Sequence, residues 1–182
     1  MGDKRTRTNV SFDVMSRDES EKADTQLVEL AGRNWLASQL QSAKIEVARP
    51  ERDRGIDLIA YLDRDAQAGQ FVARPIQMKA ATAECFSLDP KYEKFHQLLL
   101  VYIWNLRDPS KTTCFALSYK DAERIAVEMG WTDTSSWIDG AKTGKRGYYT
   151  SAPSKRLRGL LEPCKMTTPQ QWLDKIRGSA PL

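Results

Sequence analysis

The clearest alternation of hydrophobic and polar positions lies between residues 50 and 80. Two runs in this stretch, RGIDLIAYL and RPIQMKA, place apolar side chains at every second position: Ile56, Leu58, Ala60 and Leu62, then Ile76, Met78 and Ala80. Because side chains alternate between the faces of a strand, Asp57 points away from the first set, and Gln77 and Lys79 point away from the second. A polar turn separates the runs, which predicts a hairpin. Pairing would bring a carboxylate, an amide oxygen and an ammonium together, as in a metal-ion site beside a cation.

Helical and strand patterns flank this hairpin. Residues 21–41 predict a helix with an apolar stripe made of Leu27, Leu30, Ala31, Trp35 and Leu40. Residues 44–49 alternate and predict a first strand, whereas Pro75 indicates a strand end or an unpaired position. The run LLLVYIWNL at 98–106 is typical of a buried strand, with a helix as the alternative.

Capping signals delimit the later elements. TTCFALS predicts a strand, and Ser118 to Asp121 predicts a capping box for a helix that Gly130 closes. Thr168 followed by Pro169 predicts the start of a closing helix. With a short helical segment expected in KYEKFHQ, the order is helix, three strands, helix, two strands, helix, which predicts an α/β fold. We expect a flexible segment at 1–20 and a single domain at 21–182, with a basic elaboration at 131–182.

The hairpin also carries a family resemblance. RGIDLIAYL followed by IQMKA, with Asp57 and Gln77 20 residues apart, resembles the core of the PD-(D/E)XK nuclease superfamily, in its branch with Gln before the x-Lys pair. The similar stretch covers roughly residues 26–80. Gln77 stands where most members carry Glu or Asp, and the nearest proline, Pro50, lies seven residues before Asp57.

The resemblance implies a restriction-endonuclease-like core with a three-stranded meander, and a site for Mg²⁺ that Mn²⁺ can also fill. The implied metal ligands are the Asp57 carboxylate, the Gln77 side-chain oxygen, the Met78 carbonyl and a helical acid, for which Glu29 is the candidate. Lys79 would orient or deprotonate the attacking water. Glu51 and Asp53 are alternative acids, and a solvent-facing Glu29 or a solvated Asp57–Gln77–Lys79 face is the non-functional alternative.

Charge and composition also favour an anionic binding partner. The formal net charge is +4, and a basic segment supplies Lys145, Arg146, Lys155 and Arg156 with Tyr148 as a base-stacking candidate. Three widely spaced cysteines and one histidine form no zinc pattern, which favours reduced thiols in a cytoplasmic protein. No apolar run is long enough for a membrane span.

The sequence therefore predicts a Mg²⁺-dependent endonuclease that hydrolyses phosphodiester bonds in nucleic acid, with DNA as the expected substrate and a homodimer as a further expectation. Two alternatives remain open. One is a catalytically inactive nuclease-fold module that binds nucleic acid, and the other is a domain that binds a protein partner.

Overall fold

The computed structural model describes residues 17–52, 54–65, 70–140 and 144–178. The helices are α1 (Arg17–Ser42), α2 (Tyr119–Glu128), α3 (Ser135–Ile138), α4 (Lys155–Leu161) and α5 (Pro169–Arg177). The strands are β1 (Glu46–Ala48), β2 (Leu58–Asp65), β3 (Gln70–Ala80), β4 (Phe86–Leu88), β5 (Leu99–Trp104), β6 (Thr113–Ser118) and β7 (Tyr148–Thr150). The predicted flexible segment falls mostly outside these residues, although α1 begins at Arg17, four residues before the predicted start.

A mixed five-stranded sheet in the order β1-β2-β3-β5-β6 forms the centre of an α/β fold. The predicted hairpin is confirmed, because β2 and β3 pair antiparallel with Leu58 opposite Ile76. Strand β5 then pairs parallel to β3, starting at Ile76 opposite Leu99. Pro75 therefore lies inside β3 and not at its end, but it precedes the first residue that pairs with β5.

The sheet is covered on both faces, which explains the continuous apolar run of β5. Its side chains alternate between two cores: Leu100, Tyr102 and Trp104 face one, and Leu99, Val101 and Ile103 face the other. Helices α1 and α5 cover the second core, and α2 and α4 cover the first. A strand with both faces buried has no polar side to show, so the strand interpretation of this run is confirmed.

Helix α1 buries only the later part of the stripe predicted for it. Leu27 is 62% exposed and Leu30 is 45% exposed, whereas Gly32, Leu36 and Leu40 are buried. The predicted face is wrong over the first half of the helix because α1 docks through Gly32. A Cβ at Gly32 would lie 2.4 Å from the Cβ of Ala80 in β3, so the helix approaches the strand where a side chain is missing.

The connection between β3 and β5 also differs from the prediction. Its only helical element is a single 3-10 turn at Pro90–Tyr92, with β4 preceding it. Asp89 caps this turn by accepting a hydrogen bond from the Lys91 backbone N–H. Over residues 91–97, where a short helix was expected, the chain therefore forms only the end of this 3-10 turn and further turns.

The later elements begin at the predicted caps. Ser118 and Asp121 form the capping box of α2, and Thr168 and Gln171 form that of α5, with Pro169 in the first turn. The basic elaboration contains β7, paired with β4, and the helix α4. No helix in the described part of the chain is long and apolar enough to cross a membrane.

Candidate metal and phosphate site

Asp57 lies directly before β2 and is fixed to β3 by two backbone contacts. Its N–H donates to the carbonyl oxygen of Ile76 at 2.8 Å, and its Oδ2 accepts from the Met78 N–H at 2.6 Å. Both contacts follow from the register of the hairpin. The carboxylate is therefore positioned by the backbone of the neighbouring strand and does not depend on a long flexible side chain.

Gln77 completes this arrangement through its amide nitrogen. The Gln77 Nε2 donates to the Asp57 Oδ2 at 2.7 Å and to the Met78 carbonyl oxygen at 3.1 Å. Gln77 is only 8% exposed, so these bonds satisfy a buried polar group. The Asp57 carboxylate and the Met78 carbonyl thus converge on one point, which a partially positive N–H group occupies.

The orientation of the Gln77 amide differs from the predicted one. The resemblance implied that the side-chain oxygen would face the metal position with Asp57, but the nitrogen faces it. Oxygen acceptors of Asp57 and Met78 would repel a third oxygen unless a cation lay between them, so the donor turns inward. The amide oxygen lies near Gly55, where an added Cβ would be 3.5 Å from it. Gly55 has φ +85°, a conformation that favours glycine.

The hairpin residues open into a pocket of about 580 Å³ where α1 crosses the end of β3. Four parts of the chain form its walls: α1, the residue before β2, the strand β3 with the residues after it, and the turn after β5. The lining residues are Asp24, Thr25, Val28, Glu29, Asp57, Gln77, Met78, Lys79, Ala80, Ala81, Thr82 and Arg107. The four residues predicted as catalytic, Asp57, Gln77, Lys79 and Glu29, therefore line one pocket.

Lys79 lies between the pocket and an aromatic ring. Its Nζ is 5.6 Å from the centre of the Tyr92 ring, a distance at which a cation is attracted to the ring face. Burial raises the pKa of the nearby Cys85 thiol, and the positive charge of Lys79 lowers that pKa in part. The ammonium is thus held beside Tyr92 and Cys85 on the side of the site next to Met78.

Glu29 lines the pocket, but its carboxylate is engaged. It pairs with Arg33 one turn further along α1. Of the alternative acids, Glu51 is exposed and is absent from the pocket lining of the described chain, and Asp53 lies outside the described residues. Of the three candidates for the additional acid, Glu29 is therefore the one that lines the pocket of the described chain.

The groups at this site are oxygen ligands of the kind that a hard cation prefers, but few of them carry a negative charge. Carboxylate, carbonyl and amide oxygens are the ligands that Mg²⁺ prefers. The convergence of Asp57 and Met78 on one donor position fits a metal, provided that the Gln77 amide rotates to present its oxygen. Within the described ranges, however, no group of three or more acidic, histidine or cysteine side chains is arranged to hold a metal ion.

Two charged residues of the pocket, Asp24 and Arg107, are not among the site residues predicted from the sequence. Arg107, in the turn after β5, pairs with Asp24 of α1 at 3.3 Å across the pocket opening. Because β3 and β5 are parallel, the turn after β5 lies beside the end of β3. Arg107 follows a buried strand in the sequence, but only the parallel pairing brings it to the residues after Lys79.

The basic segment is only partly available for nucleic acid. Tyr148 stacks on Trp131 with ring centres 4.0 Å apart, so one face of its ring is covered, and only its other face remains for the predicted base stacking. The Arg146 Nε donates to the Trp137 carbonyl, which gives that side chain a structural contact. Lys145, Lys155, Arg156 and Tyr149 are exposed. Tyr149 is thus the better candidate for stacking.

Helix α4 is linked to the border of the pocket. Arg158 donates two hydrogen bonds, of 2.8 Å and 2.6 Å, to Glu84 in the loop that follows β3. Thr82 of the same loop lines the pocket. The exposed basic residues of α4 therefore belong to a helix that is tied to the pocket border.

No protein-family model matches the chain, and neither a curated protein nor a solved structure is significantly similar to it.

Proposed function

We propose that the protein is a metal-dependent endonuclease that hydrolyses phosphodiester bonds in DNA, on a restriction-endonuclease-like core. The observation that carries this proposal is the convergence of the Asp57 Oδ2 and the Met78 carbonyl on one point, in a pocket that Lys79 also lines. A surface salt bridge or a solvated strand face does not require a carboxylate locked to the neighbouring strand. The mixed α/β sheet with an antiparallel meander, β1-β2-β3, is compatible with that core.

Asp57, Met78 and a rotated Gln77 would hold a divalent cation, with Glu29 as an additional acid from α1. When bound, Mg²⁺ supplies charge stabilisation at the phosphoryl oxygens and lowers the pKa of a bound water. The protein residues have separate tasks. Asp57 is held by the Met78 N–H and keeps its carboxylate at a fixed position. Lys79 orients the attacking water and offsets negative charge that develops on the phosphorus oxygens.

The orientation of Gln77 favours a second candidate function. Its N–H groups already satisfy both oxygens at the converging point. A domain that binds nucleic acid without cleaving it would need no cation there and would keep this arrangement permanently. The two functions differ in one requirement, since only the nuclease needs the amide to rotate.

The test is nicking of supercoiled plasmid by the full chain with Mg²⁺, with Mn²⁺ and with EDTA. The wild type should nick with either cation and not with EDTA. Asp57→Asn and Lys79→Ala should each reduce the rate by about a hundredfold or more, since both remove groups placed for the transition state. Single-stranded RNA and DNA of equal length would define the preferred substrate.

Matched control variants test whether a loss of activity comes from the site or only from the change in net charge. Asp133→Asn and Lys120→Ala remove exposed groups of the same kinds elsewhere and should leave the rate unchanged. Circular dichroism should show that all four variants are folded. Near-normal nicking by folded Asp57→Asn protein would refute the site assignment, and DNA binding without cleavage by the wild type would favour the second function.

A further inference from the structure

The backbone turn that carries Arg107 is firmly hydrogen-bonded beside the pocket. The hydrogen bonding between β3 and β5 continues past the ends of both strands. The Ala81 N–H donates to the carbonyl oxygen of Ile103 at 2.9 Å, and the Leu106 N–H donates to the carbonyl oxygen of Ala81 at 3.0 Å. The Thr112 hydroxyl lies within hydrogen-bonding distance of the carbonyl oxygens of Asn105 and Asp108, at 3.2 Å and 3.0 Å. The turn that carries Arg107 is thus fixed to the residues after Lys79.

The partner of Arg107 is weakly held by comparison. The side chains of Arg107 and Asp24 are 65% and 64% exposed, and their closest atoms are 3.3 Å apart. Ion pairs of this kind are screened by water and contribute about fivefold or less to an equilibrium constant. The pair therefore costs little to break when a stronger anion arrives.

A phosphodiester is such an anion. The guanidinium plane can donate two parallel hydrogen bonds to a phosphate group, with a geometry that a lysine ammonium lacks. Lys79 and Arg107 are the cations that line the described pocket, and they lie on the parallel neighbours β3 and β5 and the residues that follow them. A strand of nucleic acid that places one phosphate at Lys79 would place other phosphates along the same opening.

From these observations we infer that Arg107 binds a backbone phosphate of the DNA strand that enters the pocket, and that Asp24 occupies the guanidinium in the free protein until the phosphate displaces it. This assignment rests on the proposed function and names a substrate-binding residue of the same site. Asp24 acts as an internal competitor, because its carboxylate and the incoming phosphate use the same donor groups.

The test measures binding without cleavage. Fluorescence anisotropy of a labelled DNA duplex, in EDTA and over a series of salt concentrations, gives the affinity and its dependence on salt. Arg107→Ala should weaken binding by about tenfold or more at low salt and reduce the salt slope by about 0.9. Asp24→Asn should tighten binding by about two- to fivefold, and Arg107→Lys should fall between the wild type and Arg107→Ala.

Two comparisons make this result specific. Arg124 pairs with Asp121 at the same 3.3 Å and is similarly exposed, but it does not line the pocket, so Arg124→Ala should leave affinity and slope unchanged. The gain from Asp24→Asn should vanish when Arg107 is already alanine, because the competitor then has no target. A purely structural role of the pair would produce neither the change in slope nor this coupling.

The inference is overturned if Arg107→Ala binds like the wild type, if Arg124→Ala loses as much affinity, or if Asp24→Asn gains equally in both backgrounds. The last outcome would mean that Asp24 acts only through general repulsion. These outcomes can be told apart from those of the nicking test. A wild type that never nicks plasmid refutes cleavage while the Arg107 binding pattern can still hold, and an active enzyme with no Arg107 effect refutes only the phosphate contact.

Discussion

The amide of Gln77 decides whether its site can hold a metal. The same side chain can donate through nitrogen to Asp57 and Met78, as observed, or present its oxygen to a cation. Exchanging these states breaks two hydrogen bonds of a buried group. Each such bond contributes about 0.5–1.5 kcal/mol, or more when the acceptor is charged. A cation must therefore supply more than this amount, and we expect weak binding of divalent ions in the wild type.

Gln77→Glu should weaken the metal-free arrangement and favour the metal-bound one. The carboxylate cannot donate to Asp57, so the free energy of unfolding without divalent ions should fall by about 1–3 kcal/mol. Mn²⁺ should restore it and should bind more tightly than to the wild type, because the site gains a negative charge. Urea unfolding with and without Mn²⁺, together with calorimetry, measures both effects.

A matched change of charge tests whether the effect is local. Gln41→Glu adds the same carboxylate at an exposed position near the far end of α1 and should alter neither stability nor Mn²⁺ binding appreciably. Equal Mn²⁺ affinities in the wild type and Gln77→Glu would mean that residue 77 does not face a metal. The non-catalytic function would then be the better proposal.

At the scale of elements, the approach of α1 to β3 sets the width of the pocket. Gly32 is the point of contact, and Val28 and Glu29, about one turn earlier, line the pocket. A side chain at residue 32 would have to push α1 away from Ala80. The position of Glu29 relative to Asp57 therefore depends on a glycine that carries no chemistry itself.

Gly32→Ala should destabilise the protein although alanine favours helices. Inserting a methyl group into a packed contact costs about 1–3 kcal/mol, whereas the gain in helix propensity is about 1 kcal/mol. Gly159→Ala is the control, because residue 159 lies in α4 and an added Cβ meets nothing within 4 Å. Urea denaturation should show a loss for Gly32→Ala and a gain for Gly159→Ala. A gain in both variants would contradict the close packing of α1 on β3.

The elements that the sequence predicted are those governed by local rules. The hairpin followed from the two-residue period around Leu58 and Ile76, and the caps at Ser118 and Thr168 followed from side chains within three residues of their targets. The buried face of α1 did not follow, because the largest apolar residues of its first half are exposed and a missing side chain defines the contact. Such a contact depends on the partner strand and leaves no periodic signal.

The same reasoning explains which part of the site could be predicted. Asp57, Gln77 and Lys79 lie on one hairpin, so the alternation of a strand was enough to group them. Arg107 joins them only through the parallel pairing of β3 and β5, a non-local contact that the apolar run 98–106 does not reveal. The amide orientation of Gln77 depends on competing acceptors and could not be inferred from residue types alone.

At the scale of the whole molecule, the charge of +4 is not spread evenly. Lys155 and Arg156 are exposed on α4, the helix that Arg158 ties to Glu84 at the border of the pocket. On the proposed function, a DNA backbone that enters the pocket would have α4 as a neighbour along this border. We therefore expect this helix to extend the phosphate-binding surface beyond Arg107, with Tyr149 as an exposed ring available to bases.

Replacing Lys155 and Arg156 together by alanine should lower the salt slope of DNA binding by about 1.8, since each phosphate contact contributes about 0.9. Arg146 is left intact because its bond to Trp137 is structural, and its loss would confuse binding with folding. The control is Lys120→Ala with Arg124→Ala, which removes the same charges from α2. Because both pairs change net charge equally, an equal fall in slope would indicate general attraction. A fall in the salt slope for the α4 variant alone would show that the DNA backbone contacts α4. The reason is that the slope depends on the number of phosphates that the protein contacts.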